Sequence, residues 1–415
     1  MKYDLLIKGG VVVDPAQGIN GLRDVGIFHG QIVDVDLNLS GSEAKKVIPA
    51  KGLIVTPGLI DIHAHVASDL IPSGTTPDAG GVAHGVTTIC DGGSTGHATF
   101  KGFKKFVVPQ AETEVLCFLN IVSTGMAVMP EVWGWHDLHP KSFLEKPFTE
   151  QNPRLPYCFP YIDPQATLKT AEENRGIIKG IKFRAIGTIA KYLGLDAMRV
   201  AKKIAVEAGL PLMVHIGIDE GGVLAEETGS YTREVLPLMG KGDILAHVFT
   251  WKRGGILKED GTVISELRDV ASKGVFLDVC HGKRNFSFKT ARRILDQGIV
   301  PDIISTDLNN TNLNETVFSL VVTMSKLIAL GFTLDQVVRM TTINPARALK
   351  EEHQKGSLKE GMPADISILE MVEGDYVFSA GDGGDTLRGN RLLVPKITIK
   401  SGREIPALPM GYLPR

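Results

Sequence analysis

Eight short apolar runs, separated by stretches of helical period and each ending near a polar side chain, constrain this chain more than any other feature. They are GLIDIHAH, GVTTICDGG, EVLCFLNIV, GIKGIKFRAI, LPLMVHIG, GDILAHVF, GVFLDVCHG and PDIISTDL. Between them lie amphipathic patterns such as DAMRVAKKIAVEAG and FKTARRILDQG. Strands covered by helices on their faces read as continuous Val, Ile and Leu runs, and strand-helix repetition builds a parallel sheet. Eight such units between Gly52 and about Leu349 predict an α/β fold, a (β/α)8 TIM barrel with some enlarged loops. The connection 125–164, rich in Trp, Pro and His, is longer than an ordinary loop and is expected to cover or serve a site.

The two chain ends share a different style. YDLLIKGG, VVVDPAQG, DVGIFHGQIVDV and KKVIPAKG at one end, and GSLKEGMPADISILEM, YVFSAGDGG and LLVPKITIKSGRE at the other, are short strands broken by Gly and Asp turns. The simplest arrangement pairs them into a small β-sandwich domain beside the barrel. That gives three segments: 1–53 for the first part of the sandwich, 54–350 for the barrel and 351–415 for the second part. A chain of 415 residues with 43% hydrophobic content can fill a core of this size.

Charge argues against large polyanionic partners. The formal net charge is -2 with 22% charged residues and no long run of one sign, so neither nucleic acid nor a membrane surface is expected. A small-molecule substrate is, together with a homo-oligomeric state. The amino-terminal MKYDLLIKGGVVVD is too short and too broken by Lys8, Gly9 and Gly10 for a signal peptide or a membrane span. Cys90, Cys117, Cys158 and Cys280 lack C-x-x-C spacing, which favours reduced core thiols in a cytoplasmic protein.

Barrels of this kind carry their chemistry at the carboxyl ends of the strands. The polar residues there are His63 and His65 on the first run, Asp91 on the second, Asn120 on the third and Lys182 on the fourth. His215, His247, His281 and Asp307 end the remaining four. His63 and His65 stand two apart on a strand, so they share a face and can grip one metal ion. Asp91, followed by Gly92 and Gly93, is read as a turn former before a ligand. Asn120 suits a loop cap, and His97, His136 and His139 suit loop stabilisation. Lys182 is different, because an ammonium cannot bind a cation. A desolvated lysine can lose its proton, and the neutral amine can add carbon dioxide to give a carbamate whose two oxygens bridge two metals.

With these residues the chain resembles the amidohydrolase superfamily, in particular its binuclear branch of dihydroorotases, hydantoinases and related deacetylases. The resemblance runs from IKGGVVVDP through PGLIDIHAH to TINPARAL and GSLKEGMPADISIL. It implies that His63, His65 and Asp307 hold a buried metal, that carboxylated Lys182 bridges two metals, and that His215 and His247 hold a more exposed one. The implied ions are two divalent cations, usually Zn2+, although the nitrogen and carboxylate donors also suit manganese, iron or cobalt. The implied reaction is hydrolysis of an amide or ester bond by a metal-bridging hydroxide, with Asp307 as general acid and base.

Substrate identity rests on fewer residues. Dihydroorotases typically carry an arginine two residues after the second metal-binding histidine, and Ala67 stands there instead. Arg184, two residues past Lys182, is expected to clamp a substrate carboxylate. His281 is expected to contact substrate or orient a ligand. The expected substrate is a small acylated, typically acetylated, amino or α-hydroxy acid. The alternatives are cyclic amide hydrolysis of the dihydroorotase or hydantoinase type, and deamination. A barrel kept only as a scaffold would have shed several of these ligands.

Overall fold

The computed structural model describes residues 1–127, 162–217 and 229–408, so His136, His139, Cys158 and most of the long connection lie outside the described residues. The amino-terminal segment forms β1 (Tyr3–Asp14), β2 (Ile19–Phe28), β3 (Gln31–Asp36), β4 (Ala44–Pro49) and β5 (Ile54–Pro57). β1 pairs antiparallel with β2, and β4 and β5 both run parallel to β1.

The barrel follows. β6 (Leu59–Ala64), β7 (Val86–Asp91), β8 (Glu114–Asn120), β9 (Ile178–Arg184), β10 (Leu212–His215), β11 (Ile244–Ala246) and β12 (Phe276–Asp278) form a seven-stranded parallel sheet in chain order. The eighth apolar run makes no extended ladder. Instead Ile303 bridges to Asp278 at one edge of the sheet, and Leu308 bridges to Ala64 at the other. Its middle is held by carboxylates: Thr306 donates its N–H and hydroxyl to Asp61, and Ser305 donates its hydroxyl to Asp278. These long-range bonds to Asp61 and Asp278 fix the segment between its two bridges, so the expected eighth strand is a bridging segment.

Helices pack outside this sheet for legible reasons. In helix Phe288–Leu295, Ser287 caps the start by accepting the N–H of Thr290, and Phe288, Ala291 and Ile294 bury one face. Truncating a fully buried side chain such as Ile294 to alanine costs about 2–5 kcal/mol. The long helix Gly187–Ala208 is interrupted at Gly194 and ends at Gly209, whose φ of 66° is left-handed backbone that glycine tolerates. A second apolar cluster gathers Ile60, Ile62, Phe118, Met213 and Ile244 of the barrel strands with Leu349 near the end of the barrel segment.

The chain then returns to the first sheet through β13 (Ile366–Ser379), β14 (Thr386–Lys400) and β15 (Arg403–Pro406). β13 pairs antiparallel with β5, Ile366 opposite Pro57 and Leu369 opposite Ile54, and this seam joins the two chain ends. The expected sandwich is thus one continuous eight-stranded sheet that curls until Gln31 bridges Pro363. Its core includes Ile7, Val12, Ile27, Ile32, Ile366 and Ile399. Among the described residues, no helix is long and apolar enough to cross a membrane.

Candidate metal centre

The pairing of β6 with β7 slips between Asp61 and Ala64. A one-residue slip exchanges the faces of a strand. It lets Ile60 and Ile62 fill the barrel interior below, while His63 and His65 turn inward above. His63 places Nε2 3.0 Å from Lys182 Nζ and 4.0 Å from Asp307 Oδ1. His65 places Nε2 3.1 Å from Asp307 Oδ1, and its Nδ1 is 2.9 Å from Ser94 Oγ. Donor atoms of His63, His65 and Asp307 all lie within 4.8 Å of one another. The double glycine after β7 makes room: a Cβ on Gly92 would lie 2.1 Å from His63 Cδ2, and one on Gly93 2.5 Å from Lys182 Cγ.

Lys182 and His215 end or nearly end their strands, and both are buried. His247 follows β11 at φ 68°, Cys280 follows β12 at φ 40°, and Asp307 sits in the bridging segment at φ 51°. Positive φ is costly for residues with a Cβ and persists where surrounding structure enforces it. All three sit around one centre. The His215 and His247 rings meet edge to face at 4.2 Å, and the His63 and His247 rings are 5.5 Å apart.

Burial governs the charge states. It holds His63 and His215 well below the ordinary imidazole value, helped by the charge of Lys182 for His63 and of His247 for His215. His247 is lowered to about 4, again chiefly by burial. These rings are therefore neutral near pH 7, the form that ligates metals. Burial also pushes Lys182 down to about 8, with the charge of Asp307 opposing it. Asp307 is raised by burial, but the hydrogen bond and charge of His65 outweigh this and leave it below the usual carboxylate value.

These residues fit divalent metals. His247 Nδ1 is 2.8 Å from the Cys280 carbonyl, which fixes its proton there and leaves Nε2 as a lone pair. His215 Nε2 is buried with no hydrogen-bond partner among the described residues, an uncompensated cost that a bound ion would remove. Among the described residues, Lys182 Nζ meets His63 and, at 3.4 Å, the sulfur of Met213, so its surroundings suit a neutral amine.

The remaining expected residues divide. Arg184 shares the face of Lys182 on β9 and lies opposite His215 in the ladder; its charge helps lower Lys182, His63 and His215. His281, expected to contact substrate or orient a ligand, is fully buried in the wall. Its Nδ1 is 2.7 Å from the Gly282 carbonyl, its Nε2 3.0 Å from Lys326 Nζ, and its ring stacks on Phe286 at 4.0 Å. Both nitrogens are committed to protein, so neither is available to a ligand. Ala67 is buried in the core, and Asp91 makes the turn, accepting N–H groups of Val66, Gly93 and Ser94. Asn120 ties Gly93 to Val122, and His97 bonds Ser123 in its loop.

Sequence reasoning passed over Cys280, Ser94, Asp278 and Lys326. Cys280 looked like a core thiol because it sits in an apolar run; its position just before the rim histidine of LDVCHG was the available signal.

Residues 54–384 match the amidohydrolase family. Over 386 residues the chain is 30% identical to a deacetylase of Agrobacterium fabrum, an alignment covering 93% of this chain and 86% of that one. Among solved structures, it is similar to an adenine deaminase with a TM-score of 0.81 and 29% identity, covering 97% of this chain and 100% of the other. It is similar to a dihydroorotase with a TM-score of 0.80 and 28% identity, covering 99% of each chain. The protein is a metallohydrolase enzyme. It belongs to the amidohydrolase family.

Proposed function

We propose that this enzyme hydrolyses the amide or ester bond of a small acylated amino or α-hydroxy acid, with acetyl as the preferred acyl group. The observation that carries the reading is the convergence of His63, His65 and Asp307 with the buried Lys182 at one end of the barrel. The deacetylase relative supports the acyl group. His63, His65 and Asp307 would hold one divalent ion, His215 and His247 a second, and zinc suits these donors. Carbon dioxide would add to the neutral Lys182 amine, an N–C bond forming as one C–O π bond opens and the nitrogen loses a proton, and the carbamate would offer two oxygens to the two ions. Two bound divalent ions would lower the pKa of water and polarise the scissile carbonyl.

The chain's own residues then have defined tasks. Asp307 accepts the proton of the attacking water and delivers it to the departing nitrogen or oxygen as the acyl bond breaks. Arg184 takes the substrate carboxylate and sets its orientation. Ala67, with no cation to offer, disfavours dihydroorotate. The adenine deaminase neighbour keeps deamination as the second reading.

Two measurements test this. Protein supplied with zinc and bicarbonate should bind two metals per chain, and a reproducible value of one in active enzyme would sink the two-ion arrangement. In a substrate panel, acetylated α-substituted acids should outrun dihydroorotate, hydantoins and aminopurines. Ammonia release from a purine as the best reaction would replace this reading with the second.

A further inference from the structure

Cys280 touches two histidines, His63 on β6 and His247 just after β11. Its Sγ is 2.9 Å from His63 Nδ1 and 3.7 Å from His247 Nε2, and its carbonyl oxygen is 2.8 Å from His247 Nδ1. The residue is fully buried, holds a φ of 40°, and has its N–H bonded to Asp278 Oδ1. A side chain held in left-handed backbone at such a place is enforced by its surroundings.

The two faces of His63 are not equivalent. Nε2 looks toward Lys182 and Asp307, where cation donors converge, so the ring proton belongs on Nδ1. A ligating histidine normally gives that other proton to a carboxylate or a carbonyl, which fixes its tautomer and ring orientation. The nearest carboxylate, Asp278, has an oxygen 4.0 Å away, beyond hydrogen-bond reach, and both of its oxygens already accept from Ser305. The group in contact with Nδ1 is the Cys280 sulfur.

We infer that Cys280 is a positioning residue for both metal positions: its sulfur accepts the Nδ1–H of His63, and its carbonyl accepts the Nδ1–H of His247. The inference rests on the metal-binding reading above. It differs from the other role the geometry allows, in which the sulfur joins His63 and His247 as a direct ligand. Direct ligation with His63 would have to use Nδ1, turned away from Lys182 and Asp307.

The two roles of Cys280 separate on mutation, because Cys280→Ala removes the sulfur and keeps the carbonyl. Metal-free wild type, Cys280→Ala, Cys280→Ser and a His63→Ala control would be titrated with zinc against a chelator, and separately with cobalt. Outer partners of ligating histidines are worth roughly 10–100-fold in metal affinity. Cys280→Ala should weaken one zinc by that factor and leave the other within about threefold, and Cys280→Ser, which restores an acceptor, should recover part of the loss. The visible spectrum of the cobalt protein should show no sulfur-to-cobalt charge-transfer band. That band, or two unchanged zinc affinities in both cysteine variants, overturns the inference while leaving the metal centre standing. If wild type and His63→Ala bind zinc identically, the metal reading fails, and this inference with it.

Discussion

Two buried lysine–histidine pairs sit near the carboxyl ends of the strands, and their geometry is nearly the same. Lys182 Nζ is 3.0 Å from His63 Nε2, and Lys326 Nζ is 3.0 Å from His281 Nε2. What surrounds them differs. Lys326, on helix Leu320–Ala329, also donates to the carbonyls of Thr316 at 2.8 Å and Ser379 at 2.9 Å, so three acceptors surround its amine. Lys182 has the ring and a thioether sulfur, a poor acceptor. A buried group with all its bonds made is a strut, and one with bonds left over is disposed to chemistry. The comparison therefore sets reactivity at Lys182, which the sequence marks at a strand end, against support at Lys326, which the sequence leaves unmarked.

The sharpest way to break the comparison is to remove each amine. Lys182→Ala should lose activity by more than the roughly 100-fold that loss of an outer partner costs, and its metal content should fall below that of wild type. Short carboxylic acids should restore part of the rate by supplying oxygens. A Lys182→Ala enzyme with normal rate and metal content would show that no bridge is needed. The next effect is smaller and selective. Arg184→Met should lower kcat/KM for a charged substrate tens-fold or more, since stranding a buried partner charge costs about 2–5 kcal/mol. An uncharged ester analogue should react nearly as before. Equal losses on both substrates would remove Arg184 from carboxylate recognition.

The contrast between the two pairs also shows how much could be read from the chain. Continuous apolar runs marked the seven strands β6 to β12, since burial on both faces selects Val, Ile and Leu. The eighth run looked the same, but the hydroxyls of Ser305 and Thr306 go to Asp278 and Asp61, partners that lie 27 and 245 residues away in the chain. Local pattern cannot report such a bond. The same holds for His281: its place at a strand end was legible, whereas the helix bringing Lys326 to it lies 45 residues on. His63, His65, Lys182, His215, His247 and Asp307 were legible as candidates because they close the first, fourth, fifth, sixth and eighth apolar runs. Cys280 was not, because its contribution lies in one sulfur contact and one carbonyl.

Lys326→Met gives the smallest effect on catalysis and the clearest on stability. Methionine cannot donate to Thr316, Ser379 or His281, and each acceptor left buried without a donor costs about 1–3 kcal/mol. The substrate reaction should fall far less than in Lys182→Ala, because Lys326 touches none of the reacting groups. Its pH signature follows from burial, which pushes Lys326 from 10.5 down to about 7. Between those values the unfolded chain carries a proton at this position that the folded chain lacks, so unfolding free energy rises with pH. That contribution is complete above 10.5 and lost as pH falls through 7. The stability gap between wild type and Lys326→Met should widen with rising pH across this window, by at most about 1.4 kcal/mol per unit. Urea unfolding at pH 7 and pH 9.5 measures it. A gap that stays constant would mean that the three acceptors keep the ammonium charged in the folded state, making Lys326 a fixed cation and deepening its difference from Lys182.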